Sequence, residues 1–476
     1  MEHSSDLALD PAERLQLWQR LATEIERYLR QVPSARVAPE LDPAALRREL
    51  AQFDFHAPMA ADEALRAAVD GLWRHQVQVA HPRYFGLFNP ASTTMGIVAD
   101  ALVAAFNPQI AAWSHSPYAA EVERHLIGAV AERFGYRAPE LDGVFCAGGA
   151  EANHTAVLCA LTHTFPEYGR MGARALGVAP TIYVSELSHD SIRKAARLCG
   201  LGTEAVRALP VDAGLRLRAA TVAEVIARDR AAGVQPMLVV ATAGATSTGV
   251  LDPVAELAGL AAAEGLWLHT DAAWGGMAAL VEELRPALDG IERSDSITFD
   301  AHKSLCVPMG AGMLFTRHPG VLEQTFRVSA DYMPRDGAGV DGSIDPFAHS
   351  MQWSRRFTGL KLFLSLAVAG WEGYAEVLRH LTAMGNRLRE GAAASGWRVV
   401  NDTPLPLACL VDEGGADAAA IARAVVASGE AWVSSVRLPG GVTAIRACIT
   451  SYRTQAGDVE ALVELLDRFR GKAMSY

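Results

Sequence analysis

The 476-residue chain has no cysteine pair at C-x-x-C spacing. Its six cysteines, at positions 146, 159, 199, 306, 409 and 448, are scattered, so they read as reduced thiols rather than as a disulfide framework or a zinc site. No block of Lys and Arg occurs and the formal net charge is −11, which argues against a nucleic-acid partner. No uninterrupted apolar run is long enough to span a bilayer, and the Ala- and Leu-rich stretches carry charges at regular intervals. The polar, acidic start from Met1 to Asp6 is followed by no apolar signal core. The expectation is a cytoplasmic protein with no membrane partner and no metal site. Internal repeats are also missing. What is present is hydrophobic content, 50% of residues, in a length that suggests two or three domains around substantial cores.

Leu15, Trp18, Leu21, Ile25 and Tyr28 recur at spacings of three and four, predicting an amphipathic helix over 12–30. Helices over 43–53 and 63–76 follow a Pro-containing linker, completing an N-terminal helical arm over 1–85. From about 120 to 318, strand-like runs alternate with helical ones, which calls for a mainly parallel sheet with helices on both faces. The runs are Gly143–Cys146, Thr181–Ser185, Pro236–Thr242, Leu266–Thr270, Ser296–Phe299 and Gly312–Thr316. Asp252 and Pro253 have the order of a helix cap and first-turn residue. The segment 328–349 has little periodicity and reads as an active-site loop or a connection. We expect a large domain over 86–375 and a smaller α+β domain over 376–476.

Several features carry chemistry. The Ser296–Phe299 run ends in a turn bearing His302 and Lys303, and the Leu266–Thr270 run ends on Asp271. Gly148-Gly149-Ala150 lies between a strand and a helix, where backbone N–H groups and the helix dipole suit an anion. His189 follows the Thr181–Ser185 strand. Taken singly, each has a plainer reading: a solvated lysine, a capping carboxylate, a tight turn, a surface histidine. Jointly they sit after strands, where ligands of α/β sheets bind, and they match the needs of pyridoxal phosphate. Lys303 would hold its aldehyde, Asp271 its ring nitrogen, the glycine turn its phosphate, and His189 its ring face.

The residues then resemble the group II pyridoxal-dependent amino-acid decarboxylases. The resemblance runs from His81-Pro82-Arg83-Tyr84-Phe85 through Gly148-Gly149-Ala150-Glu151-Ala152-Asn153, Ser188-His189-Asp190, His269-Thr270-Asp271-Ala272-Ala273-Trp274 and Ala301-His302-Lys303 to Arg355-Arg356-Phe357. It implies an aspartate-aminotransferase-like α/β fold (fold type I) with a mainly parallel seven-stranded sheet, the helical arm and the small C-terminal domain. It implies decarboxylation of an L-amino acid to the primary amine, in a homodimer with shared active sites. Lys303 would form the imine, with His302 near the phosphate. Asp271 would pair with the pyridinium, and His189 and Ala273 would cover the two ring faces. Gly149 and Ala150 would meet the phosphate, Thr246 would lie near the cofactor, and Tyr332 would return the proton to Cα. The substrate pocket would involve Tyr84, Phe85, Gln109 and Ala111.

The chain departs from the family pattern at Ser304, Ala150 and Ala111, and at Asp300, where Asn is common. Ala111 with Gln109 nearby points to a wider or more polar pocket than an aromatic substrate needs. Two other readings stay open: a related pyridoxal lyase or aldehyde synthase, and a cofactor-binding protein without catalysis. A desulfurase would need a cysteine on the 328–349 loop, and there is none.

Overall fold

The computed structural model describes residues 6–178, 180–328 and 343–473. Tyr332 therefore lies outside the described residues. The strands in chain order are β1 (Gln109–Ile110), β2 (Asp142–Cys146), β3 (Pro180–Ser185), β4 (Val206–Leu209), β5 (Gln235–Thr242), β6 (Trp267–Asp271), β7 (Ser296–Asp300), β8 (Gly312–Thr316), β9 (Arg355–Arg356), β10 (Trp397–Val399), β11 (Leu407–Asp412), β12 (Ser434–Arg437) and β13 (Thr443–Cys448). Seven of them form one sheet in the order β2-β8-β7-β6-β5-β3-β4. The β7–β6, β6–β5, β5–β3 and β3–β4 pairs are parallel, and β8 runs antiparallel to both of its neighbours. The mainly parallel seven-stranded sheet is as expected. Its edge strand β4 was not marked by the sequence pattern, because Val206-Arg207-Ala208-Leu209 has neither alternation nor a continuous apolar run.

Alternation within the strands explains how the sheet is covered. Val239, Ala241, Leu268, Ile297, Phe299, Met313 and Phe315 face one core. Their neighbours Leu238, Val240, Trp267 and Leu314 face the other, against the helices Gly149–Thr164 and Ser191–Leu198. Successive side chains of a strand point to opposite faces, so a strand buried on both sides must be apolar throughout. The sheet therefore has one working edge, where β2, β3, β5, β6 and β7 end.

Asp252 is not the helix cap its position suggested. The helix starts at Val254 with no side-chain cap, and the Asp252 carboxyl accepts N–H bonds from Leu217 at 2.8 Å and Thr242 at 2.9 Å. Those amides lie at the end of β5 and just ahead of the helix Ala219–Ala231, and a buried backbone donor outcompetes a cap that water can satisfy. The C-terminal region forms an antiparallel sheet, β10-β11-β13-β12, reached through the long helix Gly359–Ala394, which kinks at Gly370. The N-terminal helix Pro11–Gln31 has no buried residue, and Trp18 is 59% exposed. Among the described residues, no helix is long and apolar enough to cross a membrane.

One carboxylate ties three elements together. Glu123, on the helix Pro117–Ala131, accepts from the two terminal guanidinium nitrogens of Arg355, and β9 carrying Arg355 pairs with β1. The same carboxyl accepts the N–H of Thr358 at 3.2 Å and of Gly359 at 3.1 Å, at the start of the Gly359–Ala394 helix. Gly359 is required there, since a Cβ would come within 2.6 Å of Glu123 Cγ. Both charged side chains are buried, at 3% and 7% exposure. Removing one partner of such a pair strands the other, so Glu123→Ala should cost about 3–5 kcal/mol in urea denaturation. The double substitution Glu123→Leu with Arg355→Met should recover much of that loss; a double variant no more stable than the single one would contradict this account.

Candidate active site

The strand ends converge on one cavity of about 560 Å³. From the sheet edge it is lined by Gly149 and Ala150 after β2, His189 after β3, Thr242 at the end of β5 with Gly244 and Thr246 beyond it, Asp271 at the end of β6 with Ala273 and Trp274 beyond it, and His302 and Lys303 after β7. Its outer wall is Val77, Val79, Tyr84, Leu87, Phe88, Asn89, Met309 and Trp432. Every residue expected to meet a cofactor is thus in one place. Of the residues expected in the substrate pocket, Tyr84 lines the cavity. Phe85 is packed in the core, its N–H donating to Trp432 O at 2.9 Å. Gln109 and Ala111 are not among the lining residues. Gln109 is exposed on β1 and donates to Ser354 Oγ at 3.1 Å, and the Ala111 carbonyl accepts the Phe347 N–H.

Asp271 is held by donors within the protein. Its Oδ2 accepts from Asn153 Nδ2 at 2.8 Å, and its Oδ1 accepts the Ala273 N–H at 3.2 Å. Asn153 Oδ1 lies 3.0 Å from His269 Nε2, His269 Nδ1 lies 2.8 Å from Ser296 Oγ, and Ser296 Oγ receives the Trp267 indole N–H at 2.9 Å. The Asp271 carboxylate, which can only accept, sets the direction of the series: Asn153 turns Nδ2 to it and Oδ1 to His269, so His269 carries its proton on Nε2 and Ser296 donates to His269 Nδ1. Burial pushes the His269 pKa down to about 4, against the upward pull of Asp271. The imidazole is neutral at pH 7, as the series requires.

Two further histidines have their tautomers set by backbone donors. Ser191 N–H donates to His189 Nδ1 at 3.2 Å, and Ala311 N–H to His302 Nδ1 at 3.2 Å. Each is left with Nε2 as the proton-bearing atom. Burial lowers the His302 pKa, opposed by Asp300. Lys303 Nζ lies 2.8 Å from Asp300 Oδ2 and 5.7 Å from the centre of the Phe88 ring. Phe88 stacks on Trp274 with ring centroids 4.4 Å apart, and the Arg446 guanidinium covers it at 4.8 Å. Asn153, Phe88, Trp274 and Trp432 were not singled out as site residues from sequence. Asn153 and Trp274 lie within quoted motifs.

An aromatic aldehyde bearing a phosphate fits these residues. The cavity has the volume usual for a small-ligand site, an amine within it, a carboxylate with fixed orientation, and a 16-residue helix beginning at Gly149. A Cβ at Gly149 would come within 2.8 Å of Asp300 Oδ2, so the turn has no room for a side chain.

Comparison with known proteins agrees with this chemistry. The pyridoxal-dependent decarboxylase conserved domain matches residues 44–411. An aromatic-L-amino-acid decarboxylase of Bacillus atrophaeus is 28% identical, over 84% of this chain and 82% of that protein. An L-2,4-diaminobutyrate decarboxylase of Rhizobium meliloti (strain 1021) is 33% identical, over 63% of this chain and 58% of that protein. The crystal structure of Oryza sativa TDC with PLP and tryptamine superposes with a TM-score of 0.91 at 24% identity, covering 98% of this chain and 99% of that one, a likeness of fold.

The depressed His269 pKa has a measurable consequence. The unfolded chain binds the proton near the ordinary value of 6.5 and the folded one only near 4. The stability it contributes is therefore complete above pH 6.5 and is lost as pH falls toward 4, by at most about 3 kcal/mol. In urea denaturation, His269→Gln should lose less unfolding free energy than the parent between pH 6.5 and 4. Parallel losses in the two proteins would mean that His269 does not titrate in this way.

Proposed function

The chain belongs to the pyridoxal-dependent decarboxylase family, and from that premise we propose how its own residues divide the work of removing carbon dioxide from an amino acid. The observation that carries the proposal is the meeting of Lys303 and Asp271 in one cavity at the working edge of the sheet. Pyridoxal phosphate, when bound, supplies an aldehyde for amines and a ring that accepts the electron pair left by the departing carboxylate.

Lys303 is the residue that would hold the aldehyde. Asp271 would hold the pyridine nitrogen, and Asn153 with the Ala273 N–H prevents its carboxyl from rotating. His302 would donate from Nε2 to a phosphate oxygen beside the N–H groups of the Gly149 turn. His189 and Ala273 would bracket the ring. Orientation of this kind, together with electrostatic stabilisation prepared in advance, is the larger part of what such a protein contributes. The walls of Tyr84, Phe88, Trp274 and Trp432 would help to keep water from the reacting carbon. For the proton returned to Cα, His189 Nε2 is the candidate within the cavity and Tyr332 the candidate outside the described residues. Tyr332 there favours decarboxylation over aldehyde formation.

The substrate would be an amino acid. The walls contributed by a single chain are largely apolar and aromatic, and Gln109 and Ala111, on and beside the β1–β9 ladder, are not among them. We propose that a second copy of the chain completes the site. Exposed Leu15, Trp18 and Phe106 supply apolar surface of the kind a partner covers. The six free, buried cysteines support a reducing, cytoplasmic setting.

Purified protein given pyridoxal phosphate and a panel of aromatic, acidic and diamino acids should yield amine and carbon dioxide in equal amounts. Aldehyde with ammonia and peroxide would instead make it an aldehyde synthase. Lys303→Ala should lose the imine absorbance near ~420 nm and lower activity by more than about a thousandfold. A variant that keeps the band would remove Lys303 from the role of anchor.

A further inference from the structure

The outer wall of the cavity is apolar except at three side chains, Tyr84, Asn89 and Trp432. What they offer a substrate is fixed by one buried hydroxyl. Tyr84 is 3% exposed, and burial raises its pKa, so the phenol keeps its proton. Its oxygen accepts the Leu87 N–H at 3.0 Å and lies 3.0 Å from Asn89 Oδ1. A buried O–H needs an acceptor, and the second contact supplies one. Tyr84 therefore donates to Asn89. This turns the amide so that Oδ1 is used inside the wall and Nδ2 remains. Pro90 follows and narrows the backbone freedom of Asn89.

Among the described residues, neither Asn89 Nδ2 nor Trp432 Nε1 has a hydrogen-bond partner. Both can only donate. The wall thus offers N–H groups, and it holds no carboxylate. Two cations approach Phe88 in the same wall: Arg446 at 4.8 Å from the ring centre and Lys303 at 5.7 Å. Lys303 is offset by Asp300 at 2.8 Å. Arg446 is 2% exposed and has carbonyls for partners, those of Thr246 and Gly86, while its Nη2 has none. A buried cation without a counter-ion favours negative charge nearby.

The three classes of amino acid fare differently against such a wall. A side-chain ammonium would meet donors and no free acceptor. An unsubstituted aromatic ring would strip water from the Asn89 amide and leave its N–H groups unpaired, which costs affinity. A side-chain carboxylate would accept from Nδ2 in the field of Arg446.

We propose that Asn89 reads the side chain of the substrate, and that the substrate is an acidic amino acid whose side-chain carboxylate accepts from Asn89 Nδ2. Tyr84 is a positioning residue that holds the amide in this sense. The inference deepens the reading of this cavity as the site of an amino-acid decarboxylase, and rests on it.

In the substrate panel, kcat/KM should be higher for aspartate or glutamate than for diaminobutyrate or phenylalanine by about tenfold or more. Asn89→Asp keeps the shape and replaces the donor by a carboxylate. It should lower the ratio of kcat/KM for the acids to that for diaminobutyrate by about a hundredfold or more. Tyr84→Phe keeps the ring and frees the amide to turn. It should lower kcat/KM for the acids more than for phenylalanine, chiefly through KM, whereas a merely structural role would lower all substrates together. Succinate, which has no amine to react, should bind the cofactor-loaded protein, with a Kd raised about tenfold or more in Asn89→Asp. The proposal is overturned if diaminobutyrate or phenylalanine is turned over best, or if Asn89→Asp leaves the substrate ratios and the succinate Kd as they were. The imine band separates the two levels of failure. A wild type that forms no band with pyridoxal phosphate overturns the cofactor site, while a wild type with the band and the wrong preference overturns only the role of Asn89.

Discussion

A carboxylate at the end of a strand buried on both faces must find its hydrogen-bond donors inside the protein, and Asp271 finds them along a series whose direction its own charge sets. Trp267, His269 and Asp271 are at i, i+2 and i+4 of β6, so they share a face of the sheet. On that face the parallel register places His269 opposite Ser296 on β7, and the helix Gly149–Thr164 lays Asn153 across the strand end. Each member donates to the next, and none carries a positive charge at pH 7. A charged donor there would form a buried ion pair with Asp271 and compete with any cation brought by a ligand. A neutral amide orients the carboxyl and leaves its charge for the ligand to meet. Two strands and a helix must hold their registers for this to work, and the alternating apolar cores on either face of the sheet are what fix them.

The chemistry of the site was legible in the sequence because it sits at strand ends. Six of the seven strands carry a continuous or alternating apolar signal, and the residues just past them have no freedom of placement once the sheet exists. Gly149, Ala150, His189, Thr246, Asp271, Ala273, His302 and Lys303 were named on that ground and on the family resemblance, and they meet in one cavity. His269 escaped notice, although the period-2 pattern Trp267-x-His269-x-Asp271 is in plain view. The strand reads as apolar, and only the partner strand and helix reveal that its polar members form a series. Asp252 was misread for the opposite reason. Local spacing made it a cap, and two buried amides distant in sequence claimed it. Gln109 and Ala111 were named by resemblance alone, and the two-residue β1–β9 ladder that positions them is too short to leave a periodic trace.

The C-terminal sheet reaches into the site without supplying a group to the working edge. Arg446, 2% exposed, donates from Nε to Thr246 O at 2.7 Å and from Nη1 to Gly86 O at 2.8 Å. Asn401 and Thr403 donate to the carbonyls of Thr248 at 2.8 Å and Gly249 at 2.6 Å. These bonds bind the 243–251 loop and the 84–89 wall to one antiparallel sheet. Trp432 joins the same sheet to the wall through the backbone, exchanging bonds with Arg83 and Phe85. Gly86 has to be glycine at this seam, because a Cβ would press on the Trp432 and Tyr84 rings. A small-residue loop that would otherwise be free to move is therefore pinned at its carbonyls.

This division of labour bears on how one fold accommodates relatives named for aromatic, diamino and acidic substrates. Residues at strand ends are set by sheet geometry, so the groups that meet the cofactor cannot drift without breaking the core. The walls at Val77, Val79 and Leu87 belong to irregular segments, where a side chain can change with little cost to packing elsewhere. Asp300 lies on the conserved-geometry side of that boundary, at the end of β7, yet it brings a charge of the same sign as the ligand's phosphate. Its position is dictated by β7, its identity is not. A neutral amide would fill the same space between Gly149 and Gly312. What the carboxylate adds is a counter-ion, 2.8 Å from Lys303 Nζ, that holds the lysine in the cavity.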